Sequence, residues 1–295
     1  MPELPEIEVL RRTIAPALVG RVLRVVTIGR HDMRARGSGR GEGRSAAGAW
    51  MTSSELLDGA TIQSLERHGK RLALIATDGR CLVVQLGMSG QLTAGLSTKK
   101  PHQHIIWSIA NTNERRSSLT RDSGCLVFRD PRRFGGVTPY ESKRALHASW
   151  SAELGPDALC IQARVLQSVL DGIRPIKVAL LDQTMVAGIG NIYADESLHI
   201  AGIHPCTPCN QISKVHAKKL AQSIRLILNR ATKHGGSTLR DYRSGLGVKG
   251  AAQALHAVYG RAGQSCLLCQ AILCGMRLGG RATVWCPACQ PPVRR

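Results

Sequence analysis

The chain has 295 residues, 43% of them hydrophobic, and carries 40 Lys and Arg against 20 Asp and Glu, for a formal net charge of +20 and a pI near 10.3. That length suffices for two domains with cores of their own. The basic excess runs through most of the chain, which makes nucleic acid the first partner to consider, because counterions released from phosphates supply affinity regardless of base sequence. No apolar run approaches the ~20 residues of a spanning helix, and the start lacks the basic-then-apolar layout of a secretory signal. The expectation is an intracellular, cytoplasmic protein with no membrane partner.

From Pro5 to about Ile14 the pattern predicts a helix: Pro5 suits a first turn, Glu6 and Glu8 favour the positive end of its dipole, Arg11 and Arg12 the other end, and Ile7, Leu10 and Ile14 share a face. Strand signals then dominate to about residue 140, in RVLRVVTI, RLALIAT, CLVVQL, HIIWSI and CLVF, with Asp78-Gly79 as a hairpin turn. Two polar stretches interrupt them, GSGRGEGRSAAG at 37–48 and NTNERRSSLTRDSG at 111–124. Both read as surface insertions, with DNA contact through their arginines as the alternative. After about residue 150 the period becomes helical, and a short cysteine-bearing tail follows.

Six of the ten cysteines fall in C-x2-C pairs. Cys266-x2-Cys269-x16-Cys286-x2-Cys289 has the spacing of a four-cysteine zinc ribbon, and a closed shell of four thiolates makes that single zinc structural. Arg277 and Arg281 then sit on the intervening hairpin, where a guanidinium can reach a phosphate. Cys206 and Cys209, with His204 nearby, are a weaker candidate for a second metal site, and Cys274 has no obvious partner. In VAGIGNIYADESL two helical segments meet at Gly188 and Gly190, with Asn191 placed as the cap of the second. Free N–H groups at such a mouth bind anions, a DNA phosphate in a basic protein; a plain tight helical turn is the other reading.

The first residues, MPELPEIEVL, put three glutamates at the tip of a strongly basic chain. Removal of Met1 leaves Pro2 with a secondary α-amine. An α-amine has a reference pKa of ~8 against ~10.4 for lysine, so far more of it is neutral and nucleophilic at pH 7. Attack on a sugar C1′ yields a charged iminium, an electron sink that acidifies the neighbouring C–H, and Glu3 stands adjacent for proton transfer. A proline-initiated, acid-capped helix start is the bland alternative.

MPELPEIE, HGKRL, LGMSG, DPRRFGG, LLDQTMVAGIGNIYADESL, AGIHP, VYGRAGQSC and the cysteine quartet occur in this order from end to end. Together they closely resemble the formamidopyrimidine-DNA glycosylase family, near the endonuclease VIII glycosylases, with PELPE favouring the formamidopyrimidine branch. The resemblance implies an α+β multidomain fold: a β-sandwich begun by a catalytic helix over 1–142, a helix-two-turn-helix domain over 151–250 and a zinc finger over 251–295, with damaged double-stranded DNA held by a monomer. It implies Pro2 as Schiff-base nucleophile, Glu3 as its acid/base, Lys70 in β-elimination and Arg281 as the zinc-finger arginine of the second elimination. Met88, Arg132 and Phe134 match the residues that fill the void left by a flipped nucleotide, His102 a DNA-contacting histidine with His104 as structural neighbour, Lys177 a lysine near the lesion, and Asn191 a phosphate-binding asparagine. Two departures fall where base recognition is decided: Ala251-Ala252 replaces an aromatic pair in the lesion-capping loop, and Arg71 stands where an aromatic commonly follows the lysine. The implied activity is a bifunctional glycosylase/AP lyase for oxidised purines such as 8-oxoguanine and formamidopyrimidines, at work on the nucleoid. The alternatives are a relative acting on oxidised pyrimidines or abasic sites, and a damage-binding protein without base excision.

Overall fold

The computed structural model describes residues 2–29, 51–95, 100–111, 124–238 and 244–292. The segment 37–48 and all but the ends of 111–124 lie outside them. The chain forms two compact units, one of Met1–Pro2, Glu6–Glu153 and Ser237–Gly250, the other of Glu3–Pro5, Leu154–Gly236 and Ala251–Arg295. No helix among the described residues is long and apolar enough to cross a membrane.

The first unit is a sandwich of two antiparallel four-stranded sheets. Helix α1 (Leu4–Leu18) leads into β1 (Val22–Ile28); then come β2 (Ile62–His68), β3 (Arg71–Ala76), β4 (Cys81–Gln85), β5 (Gln91–Gly95), β6 (Gln103–Ala110), β7 (Cys125–Arg129), β8 (Gly136–Tyr140) and helix α2 (Lys143–Glu153). One sheet runs in the order β1-β6-β7-β5 and the other β2-β3-β4-β8. The hydrophobic core takes residues from both sheets, Trp107 and Phe128 on one and Leu72, Leu74 and Val84 on the other, and is completed by Ile7, Leu10, Ile14 and Leu18 of α1. Helix α1 passes the expected end at Ile14 and runs through Pro16. Proline removes one backbone bond, but fully buried Leu18 secures the last turn from the core side. The β3–β4 hairpin closes through Asp78-Gly79, with Gly79 at φ +92°.

In the second unit α3 (Ala163–Val169), α4 (Ile176–Leu181), α5 (Asn191–Ala201) and α6 (Lys214–Lys233) pack around Leu166, Leu180, Leu198, Leu220 and Leu228. Helix α6 begins at Ser213, whose hydroxyl accepts the His216 amide, as the preference for serine at that position predicts. The chain closes with a hairpin of β9 (Cys274–Leu278) and β10 (Arg281–Trp285). Gly279 and Gly280 join the two strands at φ +55° and +76°, the left-handed pair that a two-residue type I′ turn demands. Between the helices and the tail, Ser237–Gly250 groups with the first unit: the Ser237 amide donates to Glu6 Oε1 at 2.7 Å, and the Gly245 amide to Thr13 Oγ1 at 3.1 Å.

On α1, Glu8 is buried yet receives Arg11, Arg12 and Arg67 at 2.8, 2.7 and 3.1 Å. Burial alone raises its pKa, but the arginine hydrogen bonds and charges outweigh burial and hold the carboxyl down at about 2. A folded value below the unfolded one means stability that is complete above about pH 4.5 and is lost as the pH falls toward 2. Discounting the exposed Arg12, the contribution is roughly 2 kcal/mol. Urea unfolding measured from pH 6 to pH 2.5 is expected to show this loss, and Glu8→Gln to flatten it.

Candidate active site

Glu3 is 2% exposed and directs its carboxylate at the start of α5. Oε2 accepts the Gly190 amide at 2.6 Å, Oε1 accepts the Ile192 amide at 3.0 Å, and the Leu4 amide donates to the Gly188 carbonyl at 3.1 Å. The unpaired N–H groups and partial positive charge of a helix start stabilise a buried anion. Two glycines make room for it. A Cβ on Gly190 would fall on the Glu3 carboxylate, and one on Gly188, at φ +111°, would fall on the Leu4 side chain. The helix mouth that reads in sequence as a phosphate site therefore binds an anion from its own chain. Asn191 is not the cap: Gly190 occupies that position, and the Asn191 amide donates instead to the Ala282 carbonyl at 2.9 Å.

One turn further along α5, Asp195 pairs with Lys177 of α4 at 2.7 Å and accepts the Val284 amide at 3.2 Å. Lys177 has 0% exposure, and its ammonium also donates to the Ala282 carbonyl at 2.9 Å and to Thr283 Oγ1 at 2.7 Å. Burial lowers the Lys177 pKa against the pull of Asp195, and burial likewise pushes the Asp195 carboxyl up to about 6 against the pull of Lys177. Sequence places Lys177 near the lesion; the structure buries it beneath β10. Its work is to fix Ala282 and Thr283, next to Arg281, which is exposed at the first position of the strand.

Cys266, Cys269, Cys286 and Cys289 bring their sulfurs within 4.8 Å of one another. A tetrahedral zinc with ~2.3 Å bonds separates its sulfurs by ~3.8 Å, and the observed separations include 4.0 Å for Cys266 to Cys289, 3.4 Å for Cys269 to Cys286 and 3.5 Å for Cys289 to Cys269. Burial, together with the three neighbouring sulfurs, drives the Cys289 thiol far above its usual range. Four thiolates share so small a volume only around a cation, and the donor set fits one structural zinc. Among the described residues this is the one group of three or more ligating side chains. Cys206 and Cys209 are not part of such a group; burial raises both thiols, and the His204 Nδ1 accepts the Cys206 amide.

In the first unit, Lys70 lies in the two-residue turn joining β2 and β3. Its neighbour Arg71 is buried and pairs with Glu153 of α2 at 2.7 Å, so this departure from the family pattern is an internal ion pair. Met88, 39% exposed, tips the turn after β4, and Phe134, 59% exposed, lies in the loop between β7 and β8 with the Arg132 guanidinium 4.9 Å from its ring centre. Fully buried Asp130 ties these two loops together, accepting Ser89 Oγ at 2.5 Å, the Gly135 amide at 2.7 Å and the Arg132 amide at 3.3 Å. In sequence its one signal is that of a turn, an Asp followed by Pro and then by glycines. His102 is exposed at φ +66°, whereas His104 is buried with Nε2 2.8 Å from the Asp130 carbonyl. The backbone N–H groups of Ala251 and Ala252 donate to the carbonyls of His234 and Gly236 at 2.9 and 3.0 Å.

The model of the formamidopyrimidine-DNA glycosylase N-terminal domain matches residues 1–137, and that of the H2TH domain of the same enzymes matches residues 154–243. The formamidopyrimidine-DNA glycosylase of Thermomicrobium roseum is 37% identical over 299 residues, covering 99% of each chain. The chain belongs to the formamidopyrimidine-DNA glycosylase family. Solved structures agree: the complex of Lactococcus lactis Fpg with DNA containing an abasic site has a TM-score of 0.82 at 30% identity, covering 98% of this chain and 100% of that one. A Lactococcus lactis Fpg variant bound to DNA containing Fapy-dG has the same score and identity, over 99% and 100%.

Within this family fold, Asp130→Ala removes the acceptor of the Ser89 hydroxyl and of the Gly135 amide, while the Arg132 amide keeps Ser89 Oγ at 3.2 Å. It is expected to lower stability by about 3 kcal/mol in urea unfolding and to speed amide exchange in the Met88 and Arg132 loops first. Metal analysis is expected to return one zinc per chain. Chelation is expected to abolish amide protection in β9 and β10; a folded, protected hairpin with no metal would contradict the assignment.

Proposed function

We propose that this family member is a bifunctional glycosylase/AP lyase of base excision repair that removes oxidised purines, 8-oxoguanine and formamidopyrimidines among them, from double-stranded DNA. The observation that carries the reading is the Glu3 carboxylate, buried on the helix mouth of α5 and covalently adjacent to Pro2. With Met1 removed, the Pro2 nitrogen attacks C1′, the glycosidic electron pair leaves with the damaged base, and a proton is supplied to the departing group or the opening sugar. The iminium so formed at C1′ acidifies C2′–H. Loss of that proton and expulsion of the 3′ phosphate is the β-elimination, for which Lys70 is the assigned residue; a second elimination releases the 5′ phosphate, with Arg281 holding it. Glu3 moves protons beside the Pro2 nitrogen.

Flipping the nucleotide leaves a gap in the stack that costs a few kcal/mol unless filled. The exposed Met88 and the Arg132–Phe134 pair, braced from below by Asp130, are suited to fill it. His102 and Asn191 are assigned to phosphates, Asn191 once its amide exchanges the Ala282 carbonyl for DNA. Lys177 contributes indirectly by fixing the β10 backbone. Zinc supplies the fold of the hairpin, since a closed four-thiolate shell has no open position. A monomer contains every residue named, and the place of work is intracellular DNA on the nucleoid. The relatives' names and the Fapy-dG complex support the purine reading. Ala251-Ala252 favours in part a second reading, a damage-binding protein without base excision, against which the intact Pro2, Glu3 and Lys70 stand.

Borohydride reduction tests the chemistry. Wild type is expected to become covalently attached to abasic-site DNA and to 8-oxoguanine duplex, and Pro2→Gly to lose at least nine-tenths of the adduct. No adduct with either DNA would identify a damage-binding protein instead. Excision rates across 8-oxoguanine, formamidopyrimidine and thymine glycol duplexes then rank the lesions.

A further inference from the structure

Helix α5 presents Asn191, Asp195 and His199 at intervals of four, on one face. The first two bind the backbone of β10. The third, His199, is 2% exposed, and its Nε2 lies 3.6 Å from Cys266 Sγ. We infer that His199 is a positioning residue for the zinc site, donating an Nε2–H···S hydrogen bond to the Cys266 thiolate from outside the four-sulfur shell.

The direction of the bond follows from the partners. A zinc-bound Cys266 is a thiolate with no proton to give, so the imidazole must be the donor. The far side of the ring agrees. His199 Nδ1 is buried and has no hydrogen-bond partner among the described residues. In the Nε2–H tautomer that atom is a bare acceptor, whereas the opposite tautomer would bury an orphan N–H and turn a lone pair toward the sulfur. The unpartnered Nδ1 is thus what an Nε2 donor leaves behind.

A reason for the bond lies in the charge of the site. Zinc with four thiolates carries a net double negative charge, and the Cys266 and Cys286 side chains are fully buried. Backbone amides relieve part of it, Leu268 N donating to Cys266 Sγ and Cys289 N to Cys286 Sγ, each at 3.4 Å. Cys266 receives the imidazole in addition. Outer partners of this kind orient a ligand, and their loss typically weakens metal binding by 10–100-fold.

Cobalt substitution reads the bond directly, because hydrogen bonding to a thiolate moves its sulfur-to-metal charge-transfer band to higher energy. His199→Phe, which keeps an aromatic ring without a donor, is expected to shift the band to lower energy and to weaken zinc binding about 10–100-fold in chelator competition. His199→Gln, whose amide nitrogen has a similar reach, is expected to restore both. In cadmium-substituted wild type, a proton–cadmium correlation is expected at the His199 Nε2–H. An unmoved band and unchanged affinity in His199→Phe would overturn the inference, as would a Gln variant as impaired as the Phe variant. Absence of the cadmium correlation in wild type would overturn it whether or not either variant folds.

Discussion

Everything at the proposed reaction centre depends on one carboxylate being held out of water. Glu3 rests on two amides at the start of α5. A buried carboxylate without donors would take up a proton or leave the interior. The helix start supplies fixed donors and a fixed field in their stead. Rigid backbone groups also aim the side chain more tightly than a long flexible lysine could. The requirement propagates into sequence as the two glycines of AGIGN, because the peptide carrying Glu3 and Leu4 passes where side chains would otherwise stand.

The same helix organises the other end of the chain. Below its mouth, α5 offers Asp195 to the Lys177 ammonium and the Val284 amide, and Glu196 to three successive amides, Ala257, Val258 and Tyr259, at 2.9, 2.9 and 2.8 Å. Residues from the front of the chain and from its zinc-binding tail are thus referenced to one rigid rod. A lysine–aspartate pair this deeply buried contributes little net stability. Its value lies in geometry, since the ammonium clamps the backbone that follows Arg281. The acid at the tip of a basic protein is explained residue by residue. Glu3 meets a helix start, Glu6 accepts the Ser237 amide, and Glu8 gathers three arginines.

Fold class was legible because its signals are local: β-branched runs, the helical period after residue 150, and cysteine spacing. The motifs in chain order then carried the family. What escaped reading was set by contacts distant in sequence. Asn191 is a residue type that caps helices, but the competing carboxylate comes from Glu3, 187 residues before Gly190. Lys177 looks like any cation in a basic protein until tertiary packing closes over it. Arg71 follows Lys70 in sequence as if it shared its task, yet it opens β3 and turns to Glu153 of α2. Asp130 and His199 carry no signature in isolation; each matters for the atoms it meets.

The span between Glu3 and its donors has a consequence for synthesis. The amino-terminal peptide is made first, but its seat, Gly188 to Ile192, is made some two-thirds of the chain later. At typical elongation rates that interval is on the order of 10–40 s. Throughout it Glu3 lacks the two amides that hold it in the finished fold. The contact that takes Glu3 out of water is therefore among the later ones the chain can make.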